Sequence, residues 1–278
     1  MRMKIRIFKL LILIVIFIFL YLLIKFVIQL SFSNNFPAVI FFDVGQGDSI
    51  LLRNINGKNI LIDGGPDNTV INRLGYYLPH NVREIDIVIV SHYHADHIVG
   101  LIEVINRYKV KYLILMDDEK TSDVYEYLKW LASVNVETIY LKNELEIDLG
   151  HCLLRIINPY ILQIRDNNNN SLIKKLICQN NSFLFLGDNE LDVEKRLLDS
   201  GIDISADVFK ASHHGSRTSN SKELIDRIDP RYFVVSVGEN NRHNHPSLEV
   251  LNYVSELGII IKRTDLGASH VFAIDTLY

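Results

Sequence analysis

Residues 85–100 read IDIVIVSHYHADHIVG, and no other stretch constrains the fold as much. An apolar run rich in β-branched residues fits a strand covered on both faces, so the chain must build layers on each side of a sheet. Directly behind that run, His92, His94, Asp96 and His97 fall within six residues, and a helical pattern follows in HIVGLIEVINRY. Strand, polar loop and helix in this order put ligand-type side chains at a strand end, where a rigid scaffold presents its loops.

The same order recurs along the chain. Short apolar runs begin after Pro37 (AVIFFDV, DSILLRN, KNILID), and Asn56-Gly57 between the last two predicts a hairpin. From Asp67 helical and strand patterns alternate through NTVINRLGYYL, IDIVIV, HIVGLIEVINRY, KYLILM and SDVYEYLKWLA. Further β segments are expected over Val136 to Pro159 and Leu172 to Gly187, before the alternation resumes in LDVEKRLLDSG and runs on to IIIKRT. Hairpins mixed with β-α units, twice over, predict an α/β protein with two sheets sandwiched between helices. At 278 residues and 48% hydrophobic content the chain can bury a full core, so one folded domain is expected over residues 38–278.

Residues 1–30 are of another kind. Leu10 to Ile24 is an unbroken apolar run, close to the roughly 20 residues that a bilayer span requires. No small-residue cleavage motif follows it, which favours a retained membrane anchor over a removed signal peptide, with residues 31–37 as linker. Arg2, Lys4, Arg6 and Lys9 precede the run, so the positive-inside rule predicts a single-pass cell-membrane protein with a cytoplasmic N-terminus and an extracytoplasmic domain.

Residues 31–278 hold 24 basic against 33 acidic side chains, which excludes the broad basic footprint usual in nucleic-acid binders. A phosphate-rich substrate would have to be attracted locally. Cys152 and Cys178 lie in apparent strands without C-x-x-C spacing, and their pairing is left open by the sequence.

Seven of the ten histidines fall in three short segments: His92, His94 and His97; His213 and His214; His243 and His245. Each segment follows a strand-like run, and Asp63 in ILIDGG and Asp188 in FLFLGDNE end strands the same way. Neutral imidazole and carboxylate suit Zn²⁺ or Mn²⁺. The H-x-H-x-D-H pattern can divide between two ions, with His92 and His94 on one, Asp96 and His97 on the other, and Asp188 bridging. Such a pair lowers the pKa of a shared water and clamps attacking and leaving oxygens, so hydrolysis is the expected chemistry. The isolated His80, His151 and His270 are read as surface or satisfied core residues.

SHYHADH resembles the motif of the metallo-β-lactamase superfamily, and the other pieces follow in that superfamily's order. FFDVGQGDSILL, LIDGG, NNNSLI, FLFLGD, DVFKASHHGS and NRHNHPS resemble most the ComEC-type hydrolase domain of DNA uptake and its stand-alone relatives, over nearly all of residues 38–278. The resemblance implies the αββα four-layer sandwich and a site of two divalent ions, Zn or Mn. It places His92, His94, Asp96, His97 and Asp188 at the metals, with His213 or His214 as a further ligand, and Asp96, Asp188 and His214 as the catalytic set. Asp63 would orient the ligand loop by hydrogen bonding.

One departure is Asn170 and Ser171, which stand where many superfamily members carry a histidine ligand. His245 is a candidate to replace it, the alternative being a more weakly held ion. The second departure favours activity: several ComEC-type domains lack the second histidine of the motif, and this chain keeps His94. Lys210, Arg217 and Arg242 flank the histidine segments as candidate phosphate contacts, Gly45, Gly47 and Asp48 are expected to make a tight turn beside the metals, and the DNNNN tract at Asp166 to Asn170 reads as a solvated loop.

The leading expectation is a membrane-anchored metallohydrolase acting on a phosphodiester, with DNA among the candidate substrates. A small or wall- or lipid-linked phosphate ester competes within the same class. Lactonase or β-lactamase chemistry, a non-catalytic DNA- or wall-binding module, and a partner for a separate channel are the alternatives, because a fold alone does not choose among them.

Overall fold

The computed structural model of the protein describes residues 12–25, 36–116, 122–159 and 170–274, together with Lys9. Two seven-stranded sheets face each other. The first collects β1 (Ala38–Phe41), β2 (Ile50–Ile55), β3 (Lys58–Ile62), β4 (Glu84–Ile89), β5 (Lys109–Met116) and β6 (Glu137–Leu141), in that spatial order, with β14 (His270–Ala273) added outside β1. The second runs β13 (Ile260–Arg263), β12 (Tyr232–Val235), β11 (Val208–Lys210), β10 (Ser182–Phe185), β9 (Ile173–Cys178), β8 (Cys152–Ile157), β7 (Glu144–Asp148). Each sheet pairs an antiparallel part with a parallel part, β3 to β6 in one and β10 to β13 in the other. The β2–β3 turn falls at Asn56 and Gly57, both with positive φ, the backbone that two-residue hairpins demand.

Six helices complete the layers: α1 (Thr69–Tyr77), α2 (Ala95–Arg107) and α3 (Asp123–Asn135) with the first sheet, and α4 (Leu191–Asp199), α5 (Lys222–Ile228) and α6 (Leu248–Glu256) with the second. The unbroken apolar runs follow from this layering. Along β1, Val39 and Phe41 enter the core between the sheets while Ala38 and Ile40 pack under the helices, so neither face meets water. β9 to β11 obey the same alternation with one difference. Lys174 and Lys210 lie in register with the inward-facing Leu176 and Val208, and both are fully buried charges in the space between the sheets. Cys152 and Cys178 stand opposite one another on β8 and β9 and form a disulfide.

The expected membrane-spanning helix, and the single-pass, extracytoplasmic placement built on it, are corrected. Among the described residues no helix is long and apolar enough to cross a membrane. Arg2, Lys4 and Arg6, the start of the expected linker and most of the DNNNN tract lie outside the described residues.

Candidate metal centre

The carboxyl ends of β3, β4, β10, β11 and β12 converge on one edge of the sandwich, the place where open α/β sheets present ligand-binding loops. β3 ends in Asp63, held at φ 59°. Its Oδ1 accepts the Ser91 backbone N–H at 2.7 Å and its Oδ2 lies 3.0 Å from His97 Nδ1, so one carboxylate fixes both the start of the ligand loop and a ligand ring. Helix α2 begins at Ala95, earlier than the apolar pattern predicts, and Asp96 and His97 occupy its first turn. This helix is pinned by glycine. Gly64 N–H donates to His97 O at 2.7 Å and Gly100 N–H to Gly65 O at 3.1 Å, contacts that a side chain at Gly64 or Gly100 would block.

The turn over Gly45 to Asp48 lies against the same helix. A Cβ at Gly47 would fall 2.1 Å from Asp96 O, so the glycine there serves close backbone approach. Asp48 contacts His214 Nδ1 at 3.5 Å and is ion-paired with Lys210. That pairing corrects the expectation for Lys210: its ammonium is buried between the sheets and supports Asp48, away from the mouth where a phosphate would lie. Arg217 and Arg242 are exposed.

β10 delivers Asp188 after Gly187, at φ 60°. Ser171 Oγ accepts the Asp188 backbone N–H at 2.9 Å, and Asn189 braces the Ser171 backbone on both sides. Ser171 therefore shapes the loop that carries Asp188, and Asn170 is buried beside it.

Asp188 is where the imidazoles meet. Its Oδ2 lies 3.4 Å from His97 Nε2, 3.6 Å from His214 Nε2, 3.7 Å from His92 Nε2 and 4.0 Å from His213 Nε2. Ligand atoms about 2.1 Å from a tetrahedral ion lie roughly 3.4 Å from one another, so these spacings are those of groups arranged around cations. Two sets of candidate ligands share this carboxylate: His92, His94 and Asp188, and Asp96, His97, Asp188 and His214. A third set, Asp48, Asp63 and His97, lies behind the His97 ring on its Nδ1 side.

The buried polar atoms test whether metal fits. Asp188 Oδ1 and His97 Nε2 are buried without a hydrogen-bond partner among the described residues, which an ion would remedy. The other ring nitrogens are committed: His92 Nδ1 lies 2.9 Å from Ser91 Oγ and His214 Nδ1 2.8 Å from Ser236 O, leaving each Nε2 turned to the centre. Burial opposes charge on His97, but Asp188 and Asp63 outweigh it and hold its pKa well above the ordinary value. His214 is likewise raised, to about 9, against burial, by Asp188, Asp48 and Asp96. Burial and the neighbouring His97 push His92 far down instead. Without metal the site therefore keeps protons on His97 and His214, and cations must displace them. The donor set fits two divalent ions.

Above this floor is a cleft of about 380 Å³ lined by Gln46, His94, Asp96, His213, His243 and His245, among others. Asn241 organises its outer loop by accepting from the His243 and His245 backbone N–H groups and donating to His245 O. Burial and the other histidines push His245 down to about 4. Ser91, Asn189, Glu190 and Asn241 lie within the quoted motifs but, like Ser236, carried no assigned role, since a lone polar residue or a main-chain carbonyl leaves no spacing to detect. His270 Nε2 meets Arg263 O at 2.9 Å, a satisfied residue as expected.

A family model for the metallo-β-lactamase superfamily matches residues 42–154, the stretch that carries Asp48, Asp63 and the whole H-x-H-x-D-H loop. The chain carries a metallo-β-lactamase domain. Beyond that stretch the chain is similar to competence proteins. ComE operon protein 3 of Bacillus subtilis is 26% identical over 249 residues, covering 82% of this chain and 32% of that protein. Competence protein ComA of Neisseria gonorrhoeae is 27% identical over 245 residues, covering 86% and 33%. The chain thus spans about a third of the length of these curated relatives. Among solved structures, the metallo-β-lactamase fold protein YhfI from Bacillus subtilis superposes with a TM-score of 0.58 at 13% identity, over 85% of this chain and 100% of that one.

Proposed function

We propose that this metallo-β-lactamase domain is a phosphodiesterase that uses two divalent ions, Zn or Mn. The observation that carries the reading is the convergence of two ligand sets on Asp188 beneath a cleft rimmed by imidazoles. His92, His94 and Asp188 would hold one ion, and Asp96, His97, His214 and Asp188 the other. Ions held there would supply a lowered water pKa and a Lewis acid for a phosphoryl oxygen. Asp96 has a 34% exposed side chain, whereas Asp188 is 4% exposed, so Asp96 is the ligand carboxylate open to the cleft. Its Oδ2 lies 3.2 Å from His214 Nε2 and 3.8 Å from His97 Nε2, within the ligand set. His243 and His245 at the rim offer ring N–H groups to the non-bridging oxygens of a diester, and a neutral His245 does so without adding charge.

A nucleic-acid strand is the candidate substrate that the competence-protein relatives support. The acid excess of residues 31–278 favours a second reading, a small phosphodiester that enters the cleft without needing a basic surface. The test is hydrolysis by the full chain, loaded with Mn²⁺ or Zn²⁺, of bis-p-nitrophenyl phosphate, single-stranded DNA, a lactone and a β-lactam. An Asp96→Asn/His97→Ala double variant serves as control. Metal-dependent diester cleavage that is lost in the variant is expected, and turnover of the lactone or β-lactam alone would overturn the proposal.

A further inference from the structure

We infer that His213 is a ligand of the ion held by His92 and His94, and that Glu190 is the carboxylate that positions it. The inference rests on the two-ion reading above. If Asp188 is shared, the set with Asp96, His97 and His214 has three ligands of its own, and the set with His92 and His94 has two. Ser171 cannot add a third. Its hydroxyl is turned to the Asp188 backbone N–H, and its Cβ lies so close to Gly187 that a Cβ there would fall 2.5 Å away.

His213 fills that gap on three counts. Its Nε2 is 4.0 Å from Asp188 Oδ2, the oxygen on which the His92, His97 and His214 Nε2 atoms also converge. Its Nδ1 is buried without a hydrogen-bond partner among the described residues and lies 3.2 Å from Glu190 Oε1, which the Thr218 hydroxyl fixes by donating to it at 2.9 Å. A carboxylate this near would favour the proton on Nδ1, once the ring turns to meet it, and leave the Nε2 lone pair for a cation. Third, His213 (φ 48°, ψ 50°) and His214 (φ 53°, ψ 27°) are consecutive left-handed residues with side chains, an arrangement that costs free energy at each position and persists where function requires it. Had only His214 been needed at the centre, glycine at 213 would have relieved half of that strain. The side chain of His213 is also 30% exposed, open to an ion entering from the cleft.

The test is stepwise Zn²⁺ titration of the full chain against a competing chelator, with melting in excess chelator as a measure of the metal-free fold. His213→Gly, Glu190→Gln and His245→Ala are compared with the unaltered protein. In His213→Gly one ion is expected to bind as in the unaltered chain and the other to lose more than a hundredfold in affinity, while the metal-free melting temperature rises because glycine accepts the left-handed backbone. Glu190→Gln should weaken the same ion by about ten- to a hundredfold. A purely structural His213 would show the reverse, with a lower melting temperature and unchanged metal binding, and that result overturns the inference. So does loss of the ion in His245→Ala but not in His213→Gly. Should the unaltered chain take up no metal at all, the two-ion reading falls with it; two ions bound equally well by His213→Gly would remove only this assignment.

Discussion

Asp63→Asn is the substitution whose outcome the geometry dictates most closely. The carboxylate accepts on both sides, from Ser91 N–H at 2.7 Å and from the His97 Nδ1 side at 3.0 Å. A carboxamide has one acceptor and one donor, so it can serve only one of them. If its oxygen takes the Ser91 N–H, its NH₂ faces His97 Nδ1, which must then give up its proton and move it to Nε2, the atom turned to Asp188. If its oxygen takes His97, the NH₂ opposes a buried backbone N–H. Leaving such a group unpaired costs about 1–3 kcal/mol, and losing a charge-assisted bond costs a similar amount. At 1.4 kcal/mol per factor of ten, one ion should bind roughly ten- to a hundredfold more weakly, in line with the usual effect of removing a carboxylate behind a ligand histidine. The ion held by His92 and His94 should change only slightly, because neither ring touches Asp63. Competition titration with Zn²⁺ reads both steps. Two ions bound with unaltered affinities, or both weakened equally, would refute the tautomer argument.

Three further outcomes follow from particular contacts. Gly100→Ala puts a methyl group 2.1 Å from Gly64 O and 2.6 Å from Asp67 O, so the ligand helix must shift; a loss of roughly 2–3 kcal/mol is expected by chemical denaturation, whereas Gly75→Ala, exposed in α1 with open space around it, should gain about 0.5–1 kcal/mol. Lys210→Met strands Asp48 without its counter-charge and should cost about 3–5 kcal/mol, much of it recovered by adding Asp48→Asn; a raised KM with unchanged stability would instead return Lys210 to the substrate. Burial pushes Lys174 down to about 8 although Asp63 and Asp48 pull it up, against 10.5 in the unfolded chain. The unfolded state therefore binds more protons between these values, and the ammonium destabilises the metal-free fold fully below about pH 8, a penalty that fades as pH rises to 10.5. Lys174→Met should accordingly raise stability at pH 7 by up to about 3 kcal/mol in chelator, with the gain gone by about pH 10.5; a constant difference across that window would contradict the sign.

The strands were legible because burial on two faces leaves a continuous apolar run, as in AVIFF and IVIV, and the β2–β3 hairpin because Asn56-Gly57 suits a positive-φ turn. The H-x-H-x-D-H cluster stood out by its density of ligand-type side chains, and the structure puts His92 and His94 in one candidate ligand set with Asp188 and Asp96 and His97 in another with Asp188 and His214. Other features were hidden for physical reasons. β14 is short, half exposed and paired with β1 from the far end of the chain, so no local pattern announced it. Lys210 and Lys174 carried no sign of burial, since a lysine on an inward-facing strand position reads the same as one in solvent. The N-terminal apolar run led to an expected membrane span, and among the described residues no helix is long and apolar enough to cross a membrane.

The two-ion centre depends on one carboxylate, Asp188, serving both ions. The most direct measurement is metal analysis combined with X-ray absorption on the Zn²⁺-loaded full chain and on Asp188→Ala. Two ions per chain and a metal–metal distance of about 3.5–4 Å are expected in the unaltered protein, with that distance lost in the variant. A single ion per chain, or a metal–metal vector that survives removal of Asp188, would contradict that arrangement.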